Sequence, residues 1–112
     1  MDNNWVGYYP GSMFDTTGLR TYGSVLHWYG EIVDIGDNEN SYTDMGSGHF
    51  ASEGYGKAAW MRLLKYWSTG DVLTDYRTPI TTVQTPGQYS VAQNFDNTGS
   101  WGSYMFYGGP GR

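Results

Sequence analysis

The residues best suited to chemistry lie in the segment VLHWYGEIVD, residues 25–34, where one carboxylate stands among apolar and aromatic residues. Strand side chains alternate between two faces, so a strand here would divide the segment into two sets. One face would carry Leu26, Trp28, Gly30 and Ile32, and the other Val25, His27, Tyr29, Glu31 and Val33. Glu31 would therefore share a face with His27 and Tyr29, opposite an apolar face.

Two interpretations of Glu31 follow. An isolated carboxylate on a strand is most often exposed to solvent or paired with a cation. Alternatively, Glu31 lines a cleft in which His27 and Tyr29 exclude water. An aromatic wall of this kind raises the pKa of a carboxyl group, as acid–base catalysis requires. Both interpretations stay open on these residues alone.

Two further segments are candidate binding elements. The Gly-rich stretch GSGHFASEGYG, 46–56, is either a turn-rich rim or a substrate-binding lip with His49 and Glu53 as polar contacts. It lacks the spacing of a nucleotide-binding loop. The C-terminal WGSYMFYGGPG, 101–111, places Tyr104 and Phe106 on one face, as structural core or as an aromatic groove for an extended peptide or a sugar.

Composition limits the class of protein. The chain has 112 residues, enough for one domain over 1–112, and its 17 Gly and 18% aromatic content favour an all-β fold with many turns. Net charge is −5 with six scattered Lys and Arg, which argues against nucleic-acid binding. No apolar run approaches the roughly 18 residues of a membrane span. We expect neither a nucleic-acid nor a membrane partner.

Metal and thiol chemistry are not predicted. The chain has no Cys and two His, too few for a zinc site, and it has no thiol for disulfides or thiolate catalysis. The acidic loop 34–44 does not match the ligand spacing of a calcium-binding loop. We therefore expect no metal and no cofactor.

The pattern along the chain predicts several elements. Strands are expected over 4–10, 25–34, 88–95 and 101–112, and an edge strand or extended loop over 78–86. One helical turn, capped by Thr16 or Thr17, is expected within 14–23. Periodicity in 57–67 fits a helix slightly better than a strand.

Four pieces of the sequence together resemble one family. They are VGYYPGSMF (6–14), HWYGEI (27–32), MGSGHFASEGYGKAAW (45–60) and WGSYMFYGGPGR (101–112). In this order they are similar to the C-terminal half of the neprosin catalytic domain. The resemblance implies that 57–67 is a strand, with Trp60 and Leu64 on one face, in an antiparallel β-sandwich or half of one.

The resemblance also implies a function. Neprosin-like proteins are secreted glutamic peptidases with two Glu residues across a cleft, and neprosin cleaves after proline. Glu31 matches one of that pair, and the chemistry needs no metal or thiol. We expect this chain to be secreted, and we expect substrate contacts from His27, Tyr29, His49, Glu53 and Tyr104.

The chain departs from the family pattern in three ways. Tyr29 stands where the family usually has Gly, and a cysteine pair is missing, one member of it at the position of Gln88. Such a bridge typically contributes a few kcal/mol, so other contacts must compensate. The second catalytic Glu belongs to the half that this chain does not resemble, and neither Glu39 nor Glu53 matches it.

Three functions remain open from the sequence. The first is a fragment or subunit of a glutamic endopeptidase that acts on a peptide substrate, its second carboxylate coming from another polypeptide that completes the sandwich. The second is a structural, self-assembling extracellular subunit, which would form a homo-oligomer. The third is an aromatic-cleft module that binds peptide or glycan.

Overall fold

Five short antiparallel strands form the regular part of the residues that the structure describes. The computed structural model describes residues 7, 9–16, 18–33, 42–79 and 83–112. The strands are β1 (Ala59–Arg62), β2 (Lys65–Ser68), β3 (Val72–Asp75), β4 (Ser90–Asp96) and β5 (Gly102–Gly108). Three single turns of 3-10 helix lie at Gly11–Met13, Gly18–Arg20 and Ala51–Glu53. The predicted all-β class is confirmed, as are the strands within 88–95 and 101–112.

The strands divide into two sheets. In the main sheet β5 lies between β1 and β4, and β2 pairs with β3 in a separate hairpin. Met105 of β5 lies opposite Met61 on one side and Gln93 on the other. Both sheets are antiparallel. The further arrangement of two sheets into a closed sandwich stays a prediction.

The core is small and runs along the main sheet, from Leu64 beside Ser103 at the start of β5 to Ala58 near its end. Its buried apolar residues are Ala51, Ala58, Leu64, Tyr89 and Met105. The loop at Met45, which precedes the 3-10 turn Ala51–Glu53, is joined to the residue after β5 by two backbone hydrogen bonds. The Met45 N–H donates to the Gly109 carbonyl at 3.0 Å, and the Gly109 N–H donates back at 3.4 Å. The Tyr89 hydroxyl adds a bond to the Thr43 carbonyl at 2.9 Å.

Segment 57–67 contains two strands rather than one. Strand β1 ends at Arg62, and Leu63 takes a left-handed φ of 55° that turns the chain toward the hairpin. The prediction of strand over helix is confirmed, but that of a shared face for Trp60 and Leu64 is wrong. The turn at Leu63 places Leu64 beside a cavity on one side of the sheet and Trp60 beside a groove on the other.

The two strands predicted in the N-terminal part, over 4–10 and 25–34, are not found in the described residues. Residues 25–33 form no strand, so this prediction is wrong for the residues described, although exposure alternates as expected over 27–33. A strand needs a neighbour to complete its backbone hydrogen bonds, and this segment instead crosses a face of the main sheet. Of 4–10, only residues 7, 9 and 10 are described, and none is in a strand. Asp34 and Thr17 lie outside the described residues.

The protein exposes more surface than its mass requires. Its accessible surface is 8786 Å², whereas a compact monomer of 12.6 kDa exposes about 6,200 Å². The radius of gyration is 16.5 Å, against about 13 Å for a compact chain of this length. Large apolar side chains, including those of Val33, Leu19 and Met13, are exposed. In the part of the chain that is described, no helix has the length and apolar character to span a membrane.

We predict that Gly108→Ala destabilises the protein by about 2 kcal/mol or more. A Cβ at Gly108 would stand 2.6 Å from the His49 carbonyl oxygen and 2.8 Å from that of Met45, at a φ of 140°. Urea unfolding measures the loss. The matched control is Gly87→Ala, also at positive φ (103°) but with open space around the added methyl group. Equal losses in the two variants would show that backbone strain, not the clash, limits this position.

Candidate functional site

A cavity of about 840 Å³ lies between segment 26–33 and one face of the main sheet. Alternate residues of the two longest strands form part of its lining: Val91 and Gln93 of β4, and Met105 and Tyr107 of β5. The remaining wall comes from Met45, Leu64, Tyr76 and residues 83–85 and 88–90. The cavity therefore has a rigid sheet on one side and the Glu31 segment on the other.

Gly30 is where segment 26–33, which we call the Glu31 segment, comes closest to β5. A Cβ at this position would stand 2.6 Å from Cδ2 of Tyr107, 2.7 Å from its Cε2 and 3.0 Å from Sδ of Met45. Real Cβ contacts are not this short, so only a glycine allows the backbone to approach the Tyr107 ring so closely. Because Gly30 has no side chain, the backbone next to Glu31 can lie directly against the Tyr107 ring.

Trp28 provides a second attachment. Its ring lies 4.5 Å from that of Tyr76, centroid to centroid, in a tilted arrangement. Tyr76 directly follows β3, and its N–H donates to the Leu64 carbonyl at 2.8 Å, which ties it to the core. Segment 28–30 is therefore anchored both to the hairpin and to β5.

From His27 to Val33 the exposure pattern follows the predicted alternation, whereas Leu26, predicted on the apolar face, is exposed. Trp28, Gly30 and Ile32 are half-buried, whereas His27, Tyr29, Glu31 and Val33 are exposed. His27 and Tyr29 contact each other edge to face, with ring centroids 6.5 Å apart. His27, Tyr29 and Glu31 all line the cavity. Three of the predicted site residues are thus brought together at its mouth, and the apolar side anchors them.

Glu31 stands without a second acid at this site. Among the described residues that line the cavity, it is the only carboxylate. No group of three His, Cys, Asp or Glu side chains suited to a metal occurs in the described ranges. The lining can therefore offer one carboxylate and the His27 imidazole as acid–base groups, together with aromatic, hydroxyl and amide side chains.

His49 and Glu53 lie apart from this cavity and bind each other. The His49 Nδ1 atom is 3.0 Å from Oε2 and 3.1 Å from Oε1 of Glu53. Glu53 also accepts the Phe50 N–H at 3.1 Å and pairs with Lys57 at 3.5 Å. The His49 hydrogen bond, with those smaller contributions, holds the pKa of Glu53 below its ordinary value. These contacts stabilise the 3-10 turn at Ala51–Glu53.

Tyr104 lies on the other face of the main sheet. It follows the strand alternation, because its neighbours Ser103 and Met105 are buried on the opposite side. The ring of Tyr104 packs at 5.2 Å from Trp101 and 5.7 Å from Phe106. The structure therefore separates Tyr104 from Glu31 by the thickness of a sheet.

Several lining residues escaped the sequence analysis. Gln93 and Tyr107 form part of the cavity lining, and Tyr76 carries the Trp28 contact. The alternation within β4 and β5 could have placed Gln93 and Tyr107 on one face with Met105. Nothing in the local sequence could have shown that segment 26–33 lies over this particular face.

Comparison with known protein families gives one match. The sequence model described as Neprosin matches residues 1–110 of the chain. No solved structure matches the chain.

We predict that Gly30→Ala weakens the packing of the Glu31 segment against β5. The added methyl group overlaps the Tyr107 ring, so the segment must move away from β5 at a cost of about 1–3 kcal/mol. Amide hydrogen exchange across 25–33 should become faster. The control is Gly23→Ala, where the nearest atom to the new methyl group is the Val25 oxygen at 3.9 Å. Unchanged hydrogen exchange in Gly30→Ala would show that the Gly30–Tyr107 contact does not hold this segment in place.

We also predict a pH-dependent contribution from Glu53. Because its folded pKa is lowered from 4.5, the ionised side chain stabilises the fold above that value, and the contribution is lost as pH falls through the lowered pKa. The stability difference between wild type and Glu53→Gln, from urea unfolding, should shrink steadily below about pH 4.5. His49→Ala should reduce the same pH dependence, since His49 is its main cause. A difference that does not change with pH would refute the assignment.

Proposed function

The chain belongs to the neprosin family, and we propose that it forms one part of a neprosin-type peptidase in which Glu31 is one of two catalytic carboxylates. The observation that carries the proposal is the position of Glu31. It is exposed on the wall of a cavity, in a segment that Trp28 and Gly30 anchor to the rest of the protein. A carboxylate held on a rigid support and open to a substrate meets the first requirement of acid–base catalysis.

The chemistry needs two carboxyl groups in different protonation states. One takes a proton from water as the water attacks the scissile carbonyl, and the other, protonated, donates a hydrogen bond to the carbonyl oxygen. Two carboxyl groups that share a site push their pKa values apart, so both roles are filled at acidic pH. In this scheme Glu31 occupies one role and the second carboxylate comes from another polypeptide, which is either a different chain or a second copy.

The surface of the protein supports a missing partner. The accessible surface exceeds that of a compact monomer of this mass by more than a third. Exposed apolar side chains near the site include Val25 and Val33, which flank the Glu31 segment. A second polypeptide laid over this face would bury them and could bring its own carboxylate opposite Glu31. We propose that such assembly takes place outside the cell, as for a secreted enzyme.

The cavity suits a peptide as substrate. Its volume of about 840 Å³ falls within the range typical of ligand sites. Aromatic side chains of Trp28, Tyr29 and Tyr107 line it, and rings of this kind pack well against the pyrrolidine of proline. His27 and Tyr29, at the mouth beside Glu31, are the residues placed to contact the peptide there.

The test is proteolysis of a proline-containing peptide between about pH 2 and 5. We predict that Glu31→Gln lowers the activity about a hundredfold or more, and that, where the second polypeptide is a copy of this chain, activity rises more steeply than protein concentration. The control, Glu53→Gln, removes a carboxylate that lies away from the cavity. Cleavage that survives in Glu31→Gln would overturn the assignment of Glu31.

A structural, self-assembling subunit is the second candidate, and the sheet edges favour it. In the described part of the chain, β1 and β4 each pair only with β5, which leaves one edge of each strand without a strand partner. Strand β4, SVAQNFD, contains no Lys, Arg or Pro, the residues that commonly protect such edges. Sedimentation of the samples used for the proteolysis test separates the two candidates. Large assemblies with no cleavage at any concentration favour the structural role.

A further inference from the structure

The exposed side of residues 25–33 carries a set of side chains that is complementary to itself. Five exposed side chains occupy alternate positions there: Val25, His27, Tyr29, Glu31 and Val33. We call this surface the Glu31 face. Tyr29 is at its centre, the two ionisable residues lie two positions away on either side, and the two valines lie four positions away. The order of apolar, ionisable and aromatic residues is therefore the same from either end, with opposite charges at the two ionisable positions.

The ionisable pair of the Glu31 face has no partner in the described part of the chain. No salt bridge or hydrogen bond there involves the His27 imidazole or the Glu31 carboxylate. Four residues of extended chain span about 13 Å, so His27 and Glu31 of one copy do not meet each other. Tyr29 and Val33 are 60% and 78% exposed. A partner for this face must therefore come from another molecule.

A second copy laid antiparallel on the Glu31 face satisfies each of its positions. With the twofold axis at Tyr29, the tyrosine faces its own copy, each His27 faces a Glu31, and each Val25 faces a Val33. A twofold interface of this kind uses the same patch on both copies. Shifting the register by two residues would set Glu31 against Glu31 or His27 against His27, which repulsion between like charges opposes. The charges thus specify one register.

The geometry of the segment allows the two copies to meet face to face. Trp28 and Gly30 hold its other side against Tyr76 and Tyr107, so the main sheet of each copy lies on the far side of the contact. Packed β-layers lie about 10 Å apart. An imidazole and a carboxylate that reach from opposite layers can pair across that gap, and two tyrosine rings can stack within it.

The surface that the protein exposes is large enough for such a contact. Its accessible surface of 8786 Å² exceeds that of a compact monomer of this mass by about 2,500 Å². A stable interface buries about 800 Å² on each partner. A dimer through the Glu31 face therefore needs only part of the excess.

We propose that the Glu31 face binds a second copy of the chain, antiparallel and about a twofold axis at Tyr29, through two His27–Glu31 ion pairs. The inference rests on the geometry of this face and not on the proposed proteolysis. The two Glu31 residues of the dimer lie about 14 Å apart, whereas carboxyl groups perturb each other strongly within about 4–6 Å. The dimer is therefore not the two-carboxylate site. It covers the mouth of the cavity, and the second carboxylate of the proposed peptidase belongs to a different polypeptide that competes for the same face.

The test is the dimer dissociation constant, from sedimentation of the full chain over about 1–500 µM at about pH 6. We expect an equilibrium between monomer and dimer. His27→Glu sets carboxylates opposite each other and should raise the dissociation constant about tenfold or more. The double variant His27→Glu/Glu31→His restores opposite charges and should return it to within about threefold of wild type. Tyr29→Ala should weaken the dimer about tenfold, whereas Tyr42→Ala, 74% exposed and outside this face, should not.

Recovery in the double variant identifies the ion pairs, because a defect in folding caused by His27→Glu would not be repaired by a second exchange of charge. A protein that stays monomeric over the whole range overturns the proposal, as does a dimer that His27→Glu does not weaken or that the double variant does not recover. Assemblies that survive His27→Glu would place self-association at the sheet edges instead. A dimer that cuts no peptide supports this proposal without supporting the peptidase, and cleavage by a protein that stays monomeric does the reverse.

Discussion

The alternation of side chains along β5 is the constraint on which the rest of the structure depends. This strand lies between β1 and β4 and is held on both sides by backbone hydrogen bonds. Met105 and Tyr107 therefore line the cavity at Glu31, and Tyr104 and Phe106 line the groove beside Trp60 on the opposite face. Because neighbouring residues of a paired strand must face opposite ways, one seven-residue strand supplies two chemically different surfaces.

The position of Glu31 depends on β5 through the contact between Gly30 and Tyr107. Gly30 packs against the Tyr107 ring, so the position of the carboxylate is set by a residue of the sheet rather than by the segment that carries it. Trp28 fixes the same segment to Tyr76. This arrangement gives Glu31 a rigid support while its side chain stays exposed, which suits a residue that must meet a group from another polypeptide.

The sequence predicts local features better than tertiary ones. Strands β4 and β5 follow from short apolar and aromatic runs bounded by turns, and the exposure pattern of 27–33 follows from the two-residue period of an extended chain. Whether 25–33 becomes a strand depends on a neighbour to pair with, and no local pattern contains that information. Likewise, the turn at Leu63 needs a left-handed backbone that leucine rarely adopts, so the break between β1 and β2 is not visible in the sequence.

The candidate site shows the same limit. Grouping His27, Tyr29 and Glu31 needs only the period of an extended chain, and the structure places all three on one cavity. His49 and Glu53 are four residues apart, and their mutual hydrogen bond forms within a single helical turn that lies away from this cavity. Gln93 and Tyr107 lie more than sixty residues along the chain from Glu31, so only the folded topology brings them near it.

Because both faces of β5 carry a distinct set of side chains, this strand can vary by substitution but not by length. Deleting one residue within it would shift the pairing register by one and exchange the two surfaces. The rings of Tyr104 and Phe106 would then fill the space beneath Glu31, and Met105 would replace them outside. Evolution of this region is therefore restricted to changes of side chain, and insertions or deletions must fall in the turns beyond Gly102 and Gly108.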